Sequence, residues 1–219
     1  MADQQGSVDM TRQPEPRMSG AAPDGVLRGL TAVRARPNLY LRAADDRGVA
    51  DLVGHILDFS FSRDKKWSGN ATWAVVTLMP DGGITVSDDG LGLPTDMVDG
   101  NGKLSWAPVL TALIGDLYIV NAFSEQLIAE VHHHGKLCKQ EFHGDEWMTC
   151  MTQTPESADF GFRVTFWPLE SVFGPIRSVQ PVIDQLTQFS ADHPRARVTL
   201  RDERHSTYAE PLVWGPRND

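Results

Sequence analysis

His55 is the residue of this sequence best suited to proton transfer, because an imidazole can accept or release a proton near neutral pH. It lies in residues 48–59 (GVADLVGHILDF), which also contain Asp58. Two carboxylates, Asp58 and Asp88, could set the tautomer of His55 or raise its pKa if the fold brings them beside it. Residues of these types indicate metal-free acid–base chemistry. The serines near His55 lack a recognisable nucleophile elbow, which argues against a serine hydrolase.

The other metal-ligating residue types do not form a site. His132, His133 and His134 are consecutive, and consecutive residues of a strand point to alternate faces, so the three rings do not converge on one ion. The two cysteines, Cys138 and Cys150, lack the spacing of a metal site. We therefore expect two free thiols, no metal and no cofactor.

Composition limits the class of protein. The 219 residues are 41% hydrophobic, enough for one sizeable α/β domain or two small ones. Lysine and arginine total 20 against 29 aspartates and glutamates, a net charge of −9, and no stretch concentrates basic residues. We therefore expect no direct binding of nucleic acid. Since neither a signal peptide nor an apolar run of about 18 residues appears, we expect a cytoplasmic protein without a membrane partner.

The pattern along the chain predicts helices first and strands later. Residues 1–25 are poor in branched apolar side chains, so we expect a flexible tail there. Apolar residues at intervals of three and four predict a helix over residues 48–62. Further helices are predicted at residues 106–114 and 181–190, and strands at residues 71–78, 83–88, 124–131, 136–142, 148–153, 162–167 and 196–201. This order predicts an α+β two-layer sandwich, a mostly antiparallel sheet covered on one face by helices.

Several segments resemble, in order and at compatible spacing, the N-terminal ATPase domain of gyrase B and of its topoisomerase IV counterpart. They are residues 26–40 (VLRGLTAVRARPNLY), 86–94 (VSDDGLGLP), 120–124 (VNAFS), 161–168 (GFRVTFWP) and 198–202 (VTLRD). The resemblance implies the Bergerat-type sandwich of the gyrase, Hsp90, histidine-kinase and MutL superfamily. It also implies one domain over residues 26–215, with a tail at residues 216–219 and without the transducer domain of the family.

Two chemical positions of the family are replaced. In the family, a helix glutamate activates the attacking water, and an asparagine four residues later binds magnesium from the same helix face. The matching residues here are His55 and Phe59. Because a phenyl ring offers no oxygen to a hard cation, the resemblance implies that the magnesium site is lost. The glycine-rich lid of the family shrinks to residues 114–118, which removes the amides that would hold three phosphates.

At the adenine end of the pocket, this comparison matches one of the two polar residues of the family. Asp88 matches the aspartate that binds the adenine amino group, whereas its threonine companion is replaced by Phe162. We predict a pocket that has been adapted to an apolar or aromatic small molecule. Its predicted lining comprises Ile56, Phe59, Val86, Asp88, Leu93, Trp106, Tyr118, Phe162 and Val164.

Three functions remain open at this point, none of which includes ATP hydrolysis. In the first, His55 and Asp58 catalyse acid–base chemistry on a specialised metabolite, as an isomerase, cyclase or hydrolase. In the second, the pocket only binds, and the protein sequesters or senses a compound or confers resistance to it. In the third, Phe59 and Phe162 fill the pocket, and the chain is a pseudo-ATPase that acts through its surface. We do not expect ATP-driven dimerisation, since the N-terminal segment lacks a tyrosine anchor, and a constitutive homodimer is left open.

Overall fold

The computed structural model describes residues 29–62, 70–111, 116–144, 146–147, 152–155, 160–204 and 210–216. The predicted tail at residues 1–25 lies outside these ranges, as do residues 217–219 of the predicted C-terminal tail. The helices are α1 (Gly29–Arg34), α2 (Asp46–Phe61), α3 (Ala107–Leu110), α4 (Leu117–Ala122), α5 (Glu170–Phe173) and α6 (Gln180–Asp192), with a 3-10 turn at Pro37–Leu39. The strands are β1 (Trp73–Leu78), β2 (Ile84–Asp88), β3 (Ser124–His133), β4 (Lys136–His143), β5 (Glu146–Trp147), β6 (Thr152–Pro155), β7 (Phe162–Pro168), β8 (Arg197–Asp202) and β9 (Leu212–Trp214).

The strands form one sheet in the order β5-β4-β3-β7-β2-β1-β8-β9, and β6 pairs with β4 as well. The pairing of β1 with β8 is parallel, whereas β1 with β2, β2 with β7 and β3 with β7 are antiparallel. β1 and β2 form the predicted hairpin, whose turn is closed by the Met79 amide donating to the Gly83 carbonyl over 2.8 Å. The predicted α+β fold with a mostly antiparallel sheet is therefore confirmed.

Helix α2 lies against the sheet and carries most of the predicted site residues. It begins after Asp45, whose carboxylate accepts a hydrogen bond of 2.9 Å from the Arg47 amide, a favourable helix cap. Two glycines let neighbouring segments approach the helix closely. A Cβ atom at Gly48 would lie 2.1 Å from the Ala43 carbonyl oxygen, and one at Gly54 would lie 2.6 Å from Nε2 of Gln185 on α6. Helix α2 therefore packs closely against the Ala43 backbone at one glycine and against α6 at the other.

The sheet has two different faces. Residues alternate along β1 between buried and half-exposed, so Ala74 and Val76 enter the core beneath the helices while Trp73, Val75 and Thr77 face the other way. We call this second face the open face of the sheet. Among the described helices, none is long and apolar enough to cross a membrane.

Some short elements differ from the prediction. The helix predicted at residues 106–114 appears as α3, four residues long, and residues 112–115 lie outside the described ranges. The strand predicted at residues 148–153 appears as β6, with residues 148–151 outside those ranges. Helix α4 was not predicted. Five of its six residues are buried, so it lacks the polar face that would mark a helical period.

Candidate functional site

Phe59 and Phe162 occupy the place where the sequence predicted a ligand pocket. Their ring centroids lie 5.4 Å apart with the planes tilted by 56°. Phe59 is 4% exposed and Phe162 is fully buried. The ring of Phe162 also covers the glycine turn, since a Cβ atom at Gly92 would lie 2.8 Å from its Cδ2 atom. The two rings thus fill the volume between α2, β7 and this turn.

The remaining apolar residues of the predicted lining also belong to the core. Ile56, Val86, Leu93 and Val164 are at most 1% exposed and lie in one continuous hydrophobic cluster with the two phenylalanines. The structure therefore brings together the residues predicted to surround a ligand, and it packs them against one another.

Trp106 belongs to the same core cluster, whereas Tyr118 is only partly buried and packs against that cluster. Trp106 is fully buried and donates from Nε1 to the Pro94 carbonyl over 2.7 Å, while its amide donates to Oε1 of Gln140 over 2.6 Å. Tyr118 is partly exposed and meets the ring of Tyr40 edge-on, with centroids 6.3 Å apart. Trp106 is thus held by hydrogen bonds within the fold, and Tyr118 packs beside a residue of a surface groove.

Asp88 has no solvent exposure, and both of its carboxylate oxygens are engaged within the fold. The Ser60 hydroxyl donates to one oxygen over 2.6 Å, and the Gly90 amide donates to the other over 2.7 Å. Burial raises the pKa of Asp88 to about 6, although the hydrogen bonds from Ser60 and Gly90 oppose this effect; the charge of Asp89 raises it further. The sequence did not indicate Ser60 as the partner of this carboxylate.

His55 and Asp58 lie together in a surface groove, which we call the histidine groove. Its volume is ≈ 420 Å³, and it runs between α2, the segment that follows the 3-10 turn, and α6. The lining residues are Asn38, Leu39, Tyr40, Leu41, Arg42, Asp51, Gly54, His55, Asp58 and Gln185. The Arg42 side chain crosses it, donating from Nε to Asp51 over 2.5 Å and from a terminal nitrogen to Gln185 over 2.9 Å.

The structure groups His55 with Asp58 but places Asp88 on another side of α2. A helix turns by about 100° per residue, so His55 and Ser60 project about 140° apart. Ser60 faces the sheet and holds Asp88, whereas His55 faces the histidine groove. The prediction that His55 lies near both carboxylates is therefore correct for Asp58 and wrong for Asp88. Ser60 and His55 project from different faces of α2, one toward the core and the other toward the histidine groove.

The segment between α3 and α4 is short. Only six residues, Thr111 to Asp116, separate the end of α3 at Leu110 from the start of α4 at Leu117. Such a segment spans at most about 22 Å when fully extended. The Asn121 side chain ties the two helices together, since Nδ2 donates to the Leu110 carbonyl over 2.8 Å. In the parts of the chain that the structure covers, no three acidic, histidine or cysteine side chains are placed to hold a metal ion.

The chain is similar in sequence to components of DNA gyrase and DNA topoisomerase 4. It is 30% identical to gyrase B of Streptomyces coelicolor over 203 residues, which cover 84% of this chain and 29% of that protein. It is 33% identical to the B subunit of DNA topoisomerase 4 from Staphylococcus epidermidis over 167 residues, which cover 68% of this chain and 25% of that protein. The chain thus spans less than a third of these curated relatives. No protein-family model matches it.

Among solved structures, the chain is similar to the 43K ATPase domain of Thermus thermophilus gyrase B, crystallised in complex with an aminocoumarin. The TM-score is 0.72 at 28% sequence identity, and the match covers 85% of this chain and 51% of that chain. The backbone fold is thus shared across most of this chain.

Proposed function

Since the chain is a homologue of gyrase B and of its topoisomerase 4 counterpart, with the fold of the gyrase B ATPase domain, we propose that it is a pseudo-ATPase. It keeps the scaffold, neither binds nor hydrolyses ATP, and acts on partner proteins through its surface. The contact between Phe59 and Phe162 carries this proposal, because it fills the former nucleotide pocket with core side chains.

The cost of reopening the pocket supports the proposal. Exposing a buried phenylalanine costs about 1.5–3 kcal/mol, and losing an aromatic pair costs about 0.5–1.5 kcal/mol more. A nucleotide that displaced Phe162 would forfeit this sum, which corresponds to between one and three powers of ten in affinity. Asp88 also has no solvent exposure, and each of its oxygens already accepts one hydrogen bond from within the fold.

The phosphate end supports the same conclusion. Phe59 stands at the position of the magnesium-binding asparagine of the family, and its ring points into the core against Phe162. The six residues between α3 and α4 are too few for a glycine-rich lid. Without a metal ligand or a ring of amides, nothing at this end would neutralise the negative charge of a triphosphate, and the protein itself is acidic.

Calorimetry with Mg-ATP and a phosphate-release assay test this function. We expect neither binding heat nor phosphate release above background, whereas a gyrase B ATPase domain under the same conditions gives both. Phosphate release that disappears in a His55→Ala variant would refute the proposal.

The histidine groove favours a second candidate function, the binding or acid–base conversion of a polar small molecule. His55 and Asp58 line this groove together with Tyr40 and Asp51, all groups able to exchange or hold a proton. The groove is lined mainly by polar side chains, so its ligand would be polar, unlike the apolar ligand predicted for the filled pocket.

A fragment screen followed by nuclear magnetic resonance tests this second function. Shifts confined to the histidine groove, weakened in His55→Ala and in Asp58→Asn, would support it. The exposed Gln188, which does not line the groove, offers a matched control as Gln188→Ala. If a substrate is found, a His55→Ala protein with full turnover would exclude catalysis by His55.

A further inference from the structure

A second groove lies on the open face of the sheet, and we call it the arginine groove. Its volume is ≈ 460 Å³, and it is lined by Thr72, Trp73, Ala74, Val75, Arg195, Arg197, Thr199 and Pro216. The parallel pairing of β1 with β8 forms its floor, because Trp73 is opposite Arg197 and Val75 is opposite Thr199. It shares no residue with the histidine groove or with the filled pocket.

Two positive charges of this groove have no partner within the described part of the chain. Arg195 is exposed and Arg197 half-buried, and neither side chain makes an ion pair or a hydrogen bond there. Some other arginines of this acidic protein do form ion pairs, as Arg42 does with Asp51 and Arg204 with Asp202.

The carboxylate at the rim of the groove, Asp89, is already engaged. It accepts hydrogen bonds from the Thr72 amide over 2.7 Å and from the Trp73 amide over 3.0 Å, and another from the Thr72 hydroxyl. These neutral donors fix the position of Asp89 without cancelling its charge, and within the described residues it forms no ion pair with Arg195 or Arg197. The two guanidinium groups therefore remain available to the carboxylates of a ligand, on a chain whose net charge is −9.

The edge of the sheet beside this groove is also unpaired. Strand β9 ends the sheet, and no strand of the described ranges pairs with its outer side. Leu212 and Val213 of β9 are 45% and 51% exposed. An unpaired strand edge with apolar side chains is the kind of surface to which an extended peptide adds as a further strand.

The register of β9 connects this edge to the arginines. Val213 is opposite Thr199 and Trp214 is opposite Val198, so the pairing of β8 with β9 ends one position before Arg197. Gly215, which follows β9, has a φ of +91°, outside the extended conformation of a strand, and it carries no side chain that could cover Arg197. Adjacent strands are about 4.8 Å apart, so an added strand would lie about 10 Å from β8, a distance that Arg and Glu side chains bridge together.

We infer that the edge of β9 and the arginine groove bind an extended acidic segment of a partner protein. Its carboxylates face Arg195 and Arg197 on the open face, and its alternate apolar side chains pack on Leu212. A protein segment fits better than nucleic acid, because two arginines on a strongly acidic chain cannot follow a phosphate backbone. This inference rests on the proposed function, since it names the surface through which the pseudo-ATPase acts.

A fluorescent peptide of alternating glutamate and valine, titrated into the full chain, tests the inference by anisotropy and by nuclear magnetic resonance. We expect shifts at Leu212, Val213 and Thr199, and affinity reduced by about tenfold or more in Arg195→Glu/Arg197→Glu, equivalent to about 1.4 kcal/mol. Lys103→Glu/Lys136→Glu changes the net charge equally at two exposed lysines outside the groove and should stay within about twofold of the parent.

Val213→Asp leaves the arginines unchanged. It should also weaken binding of the peptide, because the new aspartate repels the glutamates of the peptide. Equal binding of a glutamine–valine peptide, unchanged affinity in the Arg195→Glu/Arg197→Glu protein, or tighter binding of oligothymidylate would overturn the inference. The pseudo-ATPase proposal fails separately, through ATP binding or hydrolysis, which these peptide titrations do not measure.

Discussion

The ring of Phe59 on α2 packs against the ring of Phe162 at the start of β7, with 5.4 Å between their centroids. The resemblance to the gyrase-type pattern matches these two residues to a magnesium-binding asparagine and an adenine-binding threonine. In this chain the two positions form one apolar contact between a helix and the sheet. Each ring thus supports the other in the core.

This contact predicts a large and coupled loss of stability. We expect Phe162→Ala and Phe59→Ala each to lower the free energy of unfolding by about 3–5 kcal/mol. A double-mutant cycle should also give a coupling of about 0.5–1.5 kcal/mol, because the rings contact each other. Urea unfolding measures all three values. Leu91→Ala, at a side chain that is 62% exposed, should change stability by at most about 0.5 kcal/mol. A Phe162→Ala protein as stable as the parent would show that the pocket is not packed.

A side chain at Gly92 should be destabilising, in part because it would collide with Phe162. The φ of +65° at Gly92 disfavours any other residue, and a Cβ atom there would lie 2.8 Å from the Phe162 ring. We expect Gly92→Ala to cost about 2–4 kcal/mol, from left-handed backbone and overpacking together. In a Phe162→Ala background only the backbone part should remain, about 1–2 kcal/mol. Gly100→Ala, where an added Cβ meets open space, serves as the control in the same melting experiments.

Asp88 predicts a dependence of stability on pH. Burial raises its pKa in the folded state from 3.8 to about 6, so the folded state binds the proton more tightly than the unfolded state. The resulting stabilisation is fully present below the unfolded pKa and is lost as the pH rises through about 6. The difference between these two pKa values corresponds to about 3 kcal/mol in full, of which about 2.4 kcal/mol is lost between pH of about 4 and 7.

The comparison with Asp88→Asn isolates this effect. The asparagine oxygen can still accept from the Gly90 amide, and its amide can donate to the Ser60 hydroxyl. We expect the stability of the variant relative to the parent protein to increase as the pH rises. The measurement is the difference between their free energies of unfolding at each pH in this range. A difference that is constant with pH would mean that Asp88 keeps an ordinary pKa.

Replacing Gln140 by an apolar residue should lower stability through the loss of buried hydrogen bonds. Gln140 is fully buried, accepts from the Trp106 amide over 2.6 Å and donates to the Ser105 hydroxyl over 2.9 Å. Gln140→Leu keeps the volume but leaves the buried Trp106 amide without this acceptor, at a cost of about 1–3 kcal/mol. Chemical denaturation should detect it, alongside Gln188→Leu as the exposed control. Hydrogen exchange at the Trp106 amide should accelerate in the Gln140 variant only.

The extent of the long elements could be predicted from local pattern. Helix α2 was predicted at residues 48–62 and spans Asp46–Phe61, because its apolar residues recur with the helical period. The alternation of buried and exposed residues likewise located β1, β2, β7 and β8 to within about two residues. Helix α4 and strand β9 could not be found in this way. The first is buried nearly all round, and the second is three residues long, too short to show a period.

By itself, the sequence determined which chemical groups are present: His55, Phe59 and Phe162, which the resemblance to the family matches to a base, a metal ligand and an adenine-binding threonine. It also determined the fold, since the periods of the helices and strands select their buried faces. Only the tertiary structure decided whether those groups surround a cavity or fill it. That outcome depends on rings from α2 and β7 meeting over the glycine turn, and the distances between these segments are set by packing across the whole core. The same packing turned His55 away from Asp88, because Ser60 occupies the helix face that meets the sheet.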